Sequence, residues 1–248
     1  MKILGIIPAR YDSTRFPGKP LAMINGKTMI RRVYEQAMKC TELSKVVVAT
    51  DNDTIRKHVL SFGGKVLLTA SYHQSGTERC QEVVAKLAAD QETFDYVINI
   101  QGDEPYIAPE QISQVAICLK NSLLPLATLI KKITTYAELN DPNVVKVAIG
   151  ISGQALYFSR SAIPFCRGGT RDEWLSMSTY YKHIGIYGYQ TSVLGQIVAL
   201  PVSELEHTES LEQLRWLSNG FKIQTQETEY ESIAIDTPAD VLKIPAGT

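Results

Sequence analysis

Residues 46–68 run Val46-Val47-Val48-Ala49, then Thr50-Asp51-Asn52-Asp53, then Ile55, Val59 and Phe62 at helical spacing, then Gly63-Gly64 and Val66-Leu67-Leu68. A β-branched run of strand length, a helix-start signal, an apolar stripe, a glycine stop and a second apolar run make one β-α-β unit. The pattern extends in both directions. Upstream, Ile3–Ile7 predicts a strand, and Met29, Ile30, Val33, Ala37 and Met38 predict a helix. Downstream, Ser75 and Glu78 stand at capping-box spacing before Val83, Val84 and Leu87, and Tyr96–Ile100 predicts the next strand. Such an alternation gives a parallel sheet with helices on both faces, whose ligands bind beyond the carboxyl ends of the strands. The polar sequences that follow each strand are therefore where chemistry is expected.

The second half is more mixed. Strands are predicted near 126–133, 144–150, 154–159 and 183–189, helices near 191–199 and 209–218, and a short last helix from Thr237-Pro238. The expected architecture is one α/β unit over residues 1–248, with a mixed, mostly parallel central sheet and an inserted subregion at about 130–190.

With 248 residues, 44% hydrophobic and 21% charged, the composition fits a protein with a sizeable core. The apolar runs are strand-sized, which disfavours a membrane-spanning helix. The apolar start breaks at Pro8 and Arg10 and reads as a buried strand rather than a signal peptide. Cys40, Cys80, Cys118 and Cys166 are widely spaced with no zinc pattern, so reduced thiols and a cytoplasmic location are expected. The net charge of −1 disfavours nucleic acid as a partner. It hides an asymmetry: residues 1–40 hold eight Lys/Arg and two acids, and residues 201–248 hold nine acids and three bases. That division suits an anion site that also needs metal or polyol contacts.

The segment Pro8-Ala9-Arg10-Tyr11-Asp12-Ser13-Thr14-Arg15-Phe16-Pro17-Gly18-Lys19-Pro20 follows the first strand and carries three cations, natural partners for a triphosphate. It matches neither Gly-x-Gly-x-x-Gly nor the P-loop pattern, and no nucleophile elbow occurs. Asp103 lies two residues after Gln101, so an extended segment points both the same way. Asp236 lies 133 positions further on. Two carboxylates brought together suit magnesium, although Asp236 alone reads more often as a turn or cap residue. Ser75 and Glu78 read as a helix cap, which also presents free N–H groups to a polar ligand. His183 and Tyr187 share one face of an alternating strand about 13 Å apart, with Ile184 and Ile186 on the other. His183 also reads as a structural histidine, and Glu212 and Gln213 as a solvated helix start. His58 and His207 lie in polar surroundings, and Trp174 and Trp216 read as core or interface.

These segments, with His73-Gln74-Ser75-Gly76-Thr77-Glu78-Arg79, Gln101-Gly102-Asp103-Glu104-Pro105, Leu156-Tyr157-Phe158-Ser159-Arg160, His183-Ile184-Gly185-Ile186-Tyr187-Gly188-Tyr189 and Leu211-Glu212-Gln213-Leu214-Arg215, resemble the 3-deoxy-manno-octulosonate (Kdo) cytidylyltransferases over nearly the whole chain. The broader relatives are sugar nucleotidyltransferases with a Rossmann-like domain. The resemblance implies that Arg10, Ser13, Arg15 and Lys19 hold the triphosphate of CTP and that Ser75, Gly76 and Arg79 lie by cytosine and ribose. It implies Asp103 and Asp236 as Mg²⁺ ligands, and Gln101, Arg160, Arg167, His183, Tyr187, Glu212 and Gln213 as sugar contacts. The catalytic set it implies is Arg10, Arg15, Lys19, Gln101, Asp103 and Asp236. It further implies a homodimer joined through the inserted subregion, and transfer of CMP to the 2-hydroxyl of Kdo for lipopolysaccharide synthesis. The competing substrates are 8-amino-3,8-dideoxy-manno-octulosonate and a sialic acid; the competing class is a nucleotide-binding regulator without catalysis.

Overall fold

The computed structural model describes residues 1–12, 16–231 and 234–242. Strand β1 (Ile3–Pro8) lies inside the main sheet, with Ile3 and Ile7 buried on one face and Leu4 and Ile6 on the other. A hairpin follows, β2 (Met23–Ile24) and β3 (Lys27–Thr28), then α1 (Met29–Ala37), β4 (Lys45–Thr50), α2 (Asp53–Ser61), β5 (Val66–Leu68), α3 (Gly76–Ala89), β6 (Tyr96–Asn99) and α4 (Pro109–Asn121). The second half contains β7 (Leu126–Lys132), α5 (Tyr136–Asn140), β8 (Lys146–Ile149), β9 (Ala155–Ser159), α6 (Trp174–Met177), β10 (Tyr181–Gln190) and α7 (Thr191–Val198). It ends with α8 (Glu204–Glu209), α9 (Gln213–Ser218), β11 (Ile223–Glu227) and α10 (Pro238–Val241).

The main sheet has the order β11-β7-β10-β6-β1-β4-β5, with β8 and β9 joined to it through β10. Strand β10 runs antiparallel to both β6 and β7; the other pairings along that path are parallel. This is the mixed, mostly parallel sheet expected from the alternation of elements. Helices α1, α2 and α4 cover one face, and α3, α7 and α9 the other, each through an apolar stripe. A smaller cluster of Ile133, Leu139, Trp174 and Tyr180 forms apart from these, under the segment between β7 and β10.

Helices α4, α5 and α6 lie outside the expectation, and so do three further elements. The hairpin of β2 and β3 turns on Asn25-Gly26, both at positive φ, a local signal that alternation over longer windows does not weigh. Strand β11 pairs with β7 through a polar sequence in which only Ile223 and Thr225 are buried, so its hydropathy pattern is faint. The helix expected near 209–218 is α9, and α8 precedes it as a further helix. Ser203 and Glu206 cap α8 reciprocally, and Ser210 at φ 52 ends it before Leu211 enters the core.

Strand β10 approaches α4 closely because Gly188 has no side chain. A Cβ there would lie 2.4 Å from Leu119 Cδ1 and 2.7 Å from Val115 Cγ1, both in the core. Gly188→Ala is expected to cost about 1–3 kcal/mol through overpacking, read as a lower urea midpoint with unchanged slope. An unchanged midpoint would contradict this packing.

Candidate active site

Four chain segments meet at the carboxyl ends of β1 and β6. Ala9 N–H donates to Ala49 O at 2.8 Å, which directs the chain leaving β1 across the top of β4. Gly102 lets the turn after β6 press against that segment, since a Cβ there would lie 2.5 Å from Pro8 O. Gly76 brings the start of α3 against Asn99 and Pro8, where a Cβ would be 3.3 Å from each. The fourth segment comes from the far end of the chain. Ile235 N–H donates to Asp103 O at 2.9 Å, and its buried side chain packs with Ile24 and Met29. Asp240 then accepts from the amides of Asp236 and Thr237 at 3.2 and 2.9 Å and starts α10, which fixes the backbone under Asp236.

Lys19 completes the centre. Gly18 adopts φ +69, and Leu21 N–H closes on Gly18 O at 2.8 Å, so the chain turns and carries Lys19 inward. Its Nζ lies 2.7 Å from Asp103 Oδ2 and 3.5 Å from Asp236 Oδ1. The two carboxylates predicted to meet therefore meet around one ammonium. A position that satisfies a cation between two hard oxygen donors also suits magnesium, which takes one or two carboxylates and fills its shell with phosphate and water. Among the described residues no group of three or more His, Cys, Asp or Glu forms a self-sufficient metal cage.

The resulting cleft has a volume of about 300 Å³ and is lined by Pro8, Ala9, Arg10, Lys19, Pro20, His73, Gln74, Ser75, Gly76, Arg79, Gln101, Gly102, Asp103 and Asp236. Arg10, Lys19, Ser75, Gly76, Arg79, Gln101, Asp103 and Asp236 are all brought together there; Ser13 and Arg15 lie outside the described residues. Arg79 borders the cleft differently from the expectation. Its buried guanidinium donates to Asp51 Oδ2 at 2.8 Å, to Ala70 O at 3.3 Å and to Thr69, so its charge binds two loops together. The cap at Ser75 is also half of what the spacing predicts. Ser75 Oγ accepts from Glu78 N, but Glu78 returns its bond to Gln74 N–H at 2.7 Å. His73 and Gln74 are cleft residues given no separate role by the sequence reading, though both stand in the segment it quotes.

A second polar group lies along β10. The expected 13 Å between His183 and Tyr187 is a ring separation of 5.0 Å, because β10 breaks register between Ile184 and Tyr187 and the side chains lean together. Thr128 Oγ1 donates its proton to Ile186 O at 2.7 Å and therefore accepts from His183 Nε2 at 3.0 Å. That network assigns the Nε2–H tautomer and leaves Nδ1 as an acceptor. Burial lowers the His183 pKa to about 3, so the ring is neutral at pH 7. The Tyr187 hydroxyl is buried and has no hydrogen-bond partner among the described residues. Glu212, at the cap of α9, accepts from Thr77 Oγ1 at 2.9 Å. Burial raises its pKa, opposed by the hydroxyls of Thr77 and Ser75. Gln101 stands between the two groups, near Gly185 of β10.

The remaining sugar candidates are Gln213, Arg160 and Arg167, none of which lines the cleft. Gln213 is buried in α9. Arg160 donates to three backbone carbonyls, those of Glu209, Pro142 and Ser210, and holds α8 against the end of β9. Arg167 is exposed between β9 and α6, away from the cleft lining. His58 has the partner that its sequence context did not indicate, Thr28 Oγ1 at 2.7 Å. Trp174 and Trp216 are both core residues.

The neutral His183 predicts a pH dependence. A folded pKa below the unfolded value near 6.5 means that the unfolded chain binds the extra proton. Stability from this group is complete above pH 6.5 and is lost as pH falls toward 3, at up to about 1.4 kcal/mol per pH unit. His183→Gln is expected to flatten that part of the stability–pH curve in urea titrations. A slope identical to wild type would show that the ring does not titrate this way.

No helix among the described residues is long and apolar enough to cross a membrane. Residues 4–225 match the family model for cytidylyltransferases. The chain is 52% identical over 244 residues to 3-deoxy-manno-octulosonate cytidylyltransferase of Bacteroides thetaiotaomicron, covering 97% of this chain and 96% of that protein. It is 51% identical over 247 residues to the enzyme of the same name from Parabacteroides distasonis, covering 98% and 96%. Its fold superimposes with a TM-score of 0.90 on the structure of CMP:2-keto-3-deoxy-manno-octonic acid synthetase complexed with CTP, at 42% identity, covering 98% of this chain and 96% of that one. With the cleft, the paired carboxylates and near-complete coverage in agreement, the chain belongs to the cytidylyltransferase family, among the 3-deoxy-manno-octulosonate cytidylyltransferases.

Proposed function

We propose that this protein transfers CMP from CTP to the anomeric 2-hydroxyl of Kdo, giving CMP-Kdo and pyrophosphate for lipopolysaccharide synthesis. The observation that carries this reading is the placement of Lys19 against Asp103 and Asp236 in a cleft that is also lined by Arg10 and the amino-terminal start of α3. Cations and free N–H groups there suit a triphosphate. The adjoining β10 group suits a polyhydroxylated acid: an acceptor at His183 Nδ1, an orphaned hydroxyl at Tyr187, a carboxyl at Glu212 and an amide at Gln101.

The reaction forms a bond from the sugar oxygen to the α-phosphorus and breaks the bond from that phosphorus to the bridging oxygen of pyrophosphate. The hydroxyl proton passes to solvent, and pyrophosphate leaves with the electron pair. Two anions must meet, so the barrier is largely electrostatic. Arg10 and Lys19 lower it by offsetting phosphate charge, while Gln101, between the two groups, orients the attacking sugar. Asp103 and Asp236 would hold Mg²⁺, which when bound adds charge neutralisation and acidifies the sugar hydroxyl. The free cysteines support a cytoplasmic location. Exposed Phe165 and Met177 beside the Trp174 cluster support the segment between β9 and β10 as the homodimer contact.

The test is pyrophosphate release with Mg²⁺ and CTP in the presence of Kdo, its 8-amino analogue or a sialic acid. Release is expected with Kdo and is expected to fall at least about a hundredfold in a folded Asp103→Asn variant. Turnover with another acid alone would overturn the sugar assignment. CTP binding without turnover on any of the three would favour a regulator.

A further inference from the structure

The cleft wall formed by His73, Gln74 and Ser75 belongs to residues 69–75, which contain neither helix nor strand. Carboxylates on α3 fix the shape of this segment. Ala70 N–H donates to Glu82 Oε2 at 2.8 Å, and the same oxygen meets His73 Nε2. Glu78 accepts from Gln74 N–H, so two amides four residues apart are held from one helix face. Positions 78, 79, 82 and 86 recur at helical spacing and all point toward this segment. Lys86 Nζ pairs with Glu82 Oε1 at 2.7 Å and donates to Leu68 O at 2.6 Å, at the start of the same stretch.

We infer that Glu82, which lies outside the cleft lining, is a positioning residue for the nucleotide. It holds residues 70–73 in the shape that turns His73, Gln74 and Ser75 into the wall of the cleft. This rests on the nucleotide reading above and adds a residue to it. The carboxylate is well suited to the task. Burial raises its pKa, but Lys86, the Ala70 amide and His73 together outweigh this and bring it to about 2, so it is ionised throughout the working range. A charged acceptor holding two donors that would otherwise be free makes a stiff support.

The consequence is specific. Glu82 touches neither the phosphates nor the β10 group, so its loss acts on nucleotide binding and leaves the chemical step and the sugar alone. In Glu82→Ala the KM for CTP is expected to rise about tenfold, with kcat and the KM for Kdo within about twofold of wild type. Hydrogen exchange of amides 70–75 is expected to speed up while the rest of α3 is unchanged. Glu82→Gln keeps an acceptor for Ala70 and is expected to recover most of the affinity. An unchanged CTP KM in folded Glu82→Ala, or a fall in kcat with both KM values constant, would overturn the assignment. If the alanine variant does not fold, the glutamine variant decides: a CTP KM raised about threefold supports the role, and an unchanged value overturns it. Wild-type protein that neither binds CTP nor turns it over with any sugar would instead refute the nucleotide reading, while faster exchange at 70–75 in the variants would still report the support itself.

Discussion

Everything in the cleft depends on two carboxylates from distant parts of the chain standing side by side. Asp103 follows β6, and Asp236 arrives from the carboxyl-terminal segment. The backbone bond from Ile235 N–H to Asp103 O sets their register, and the burial of Ile235 anchors it. Like charges at this separation repel, and the Lys19 ammonium between them offsets that repulsion. On the proposed reading, a divalent ion held by both carboxylates would compete with Lys19 for the same oxygens, and the ammonium would then turn to phosphate.

The sheet makes this convergence possible. Parallel strands β1, β4 and β6 end at one edge, and the turns leaving β1 and β6 come within backbone contact only because Gly102 lacks a side chain. Strand β10, antiparallel beside β6, brings a different set of groups to the same neighbourhood. Its irregular register gathers His183 and Tyr187 into one cluster beside Thr128. Nucleotide and sugar readings therefore fall on different elements, with Gln101 between them and Glu212 bonded to the start of α3.

Much of this was legible in the residues. The β-α-β alternation through β6 and the polar turns after β1 and β6 were readable because periodicity and caps are local. The meeting of Asp103 with Asp236 came from resemblance, since no local rule spans that distance. Other features were hidden for physical reasons. Strand β11 has too few buried residues to show alternation. The contact between His183 and Tyr187 depends on a bulge that spacing alone cannot reveal. Arg79 looked like a ligand group, but its partner Asp51 lies on another loop, so its structural bond appears only when β4 and α3 pack together. Glu82 carried a faint signal, one helical step beyond Arg79, without an indication of the segment it supports.

The most direct test of the paired-carboxylate centre is equilibrium binding of Mn²⁺, a paramagnetic stand-in for magnesium, to wild type and to Asp103→Asn, Asp236→Asn and Lys19→Met. The account predicts that each aspartate substitution weakens binding by about tenfold or more, and that Lys19→Met strengthens it when no nucleotide is present. Binding that is indifferent to both aspartate substitutions would contradict it.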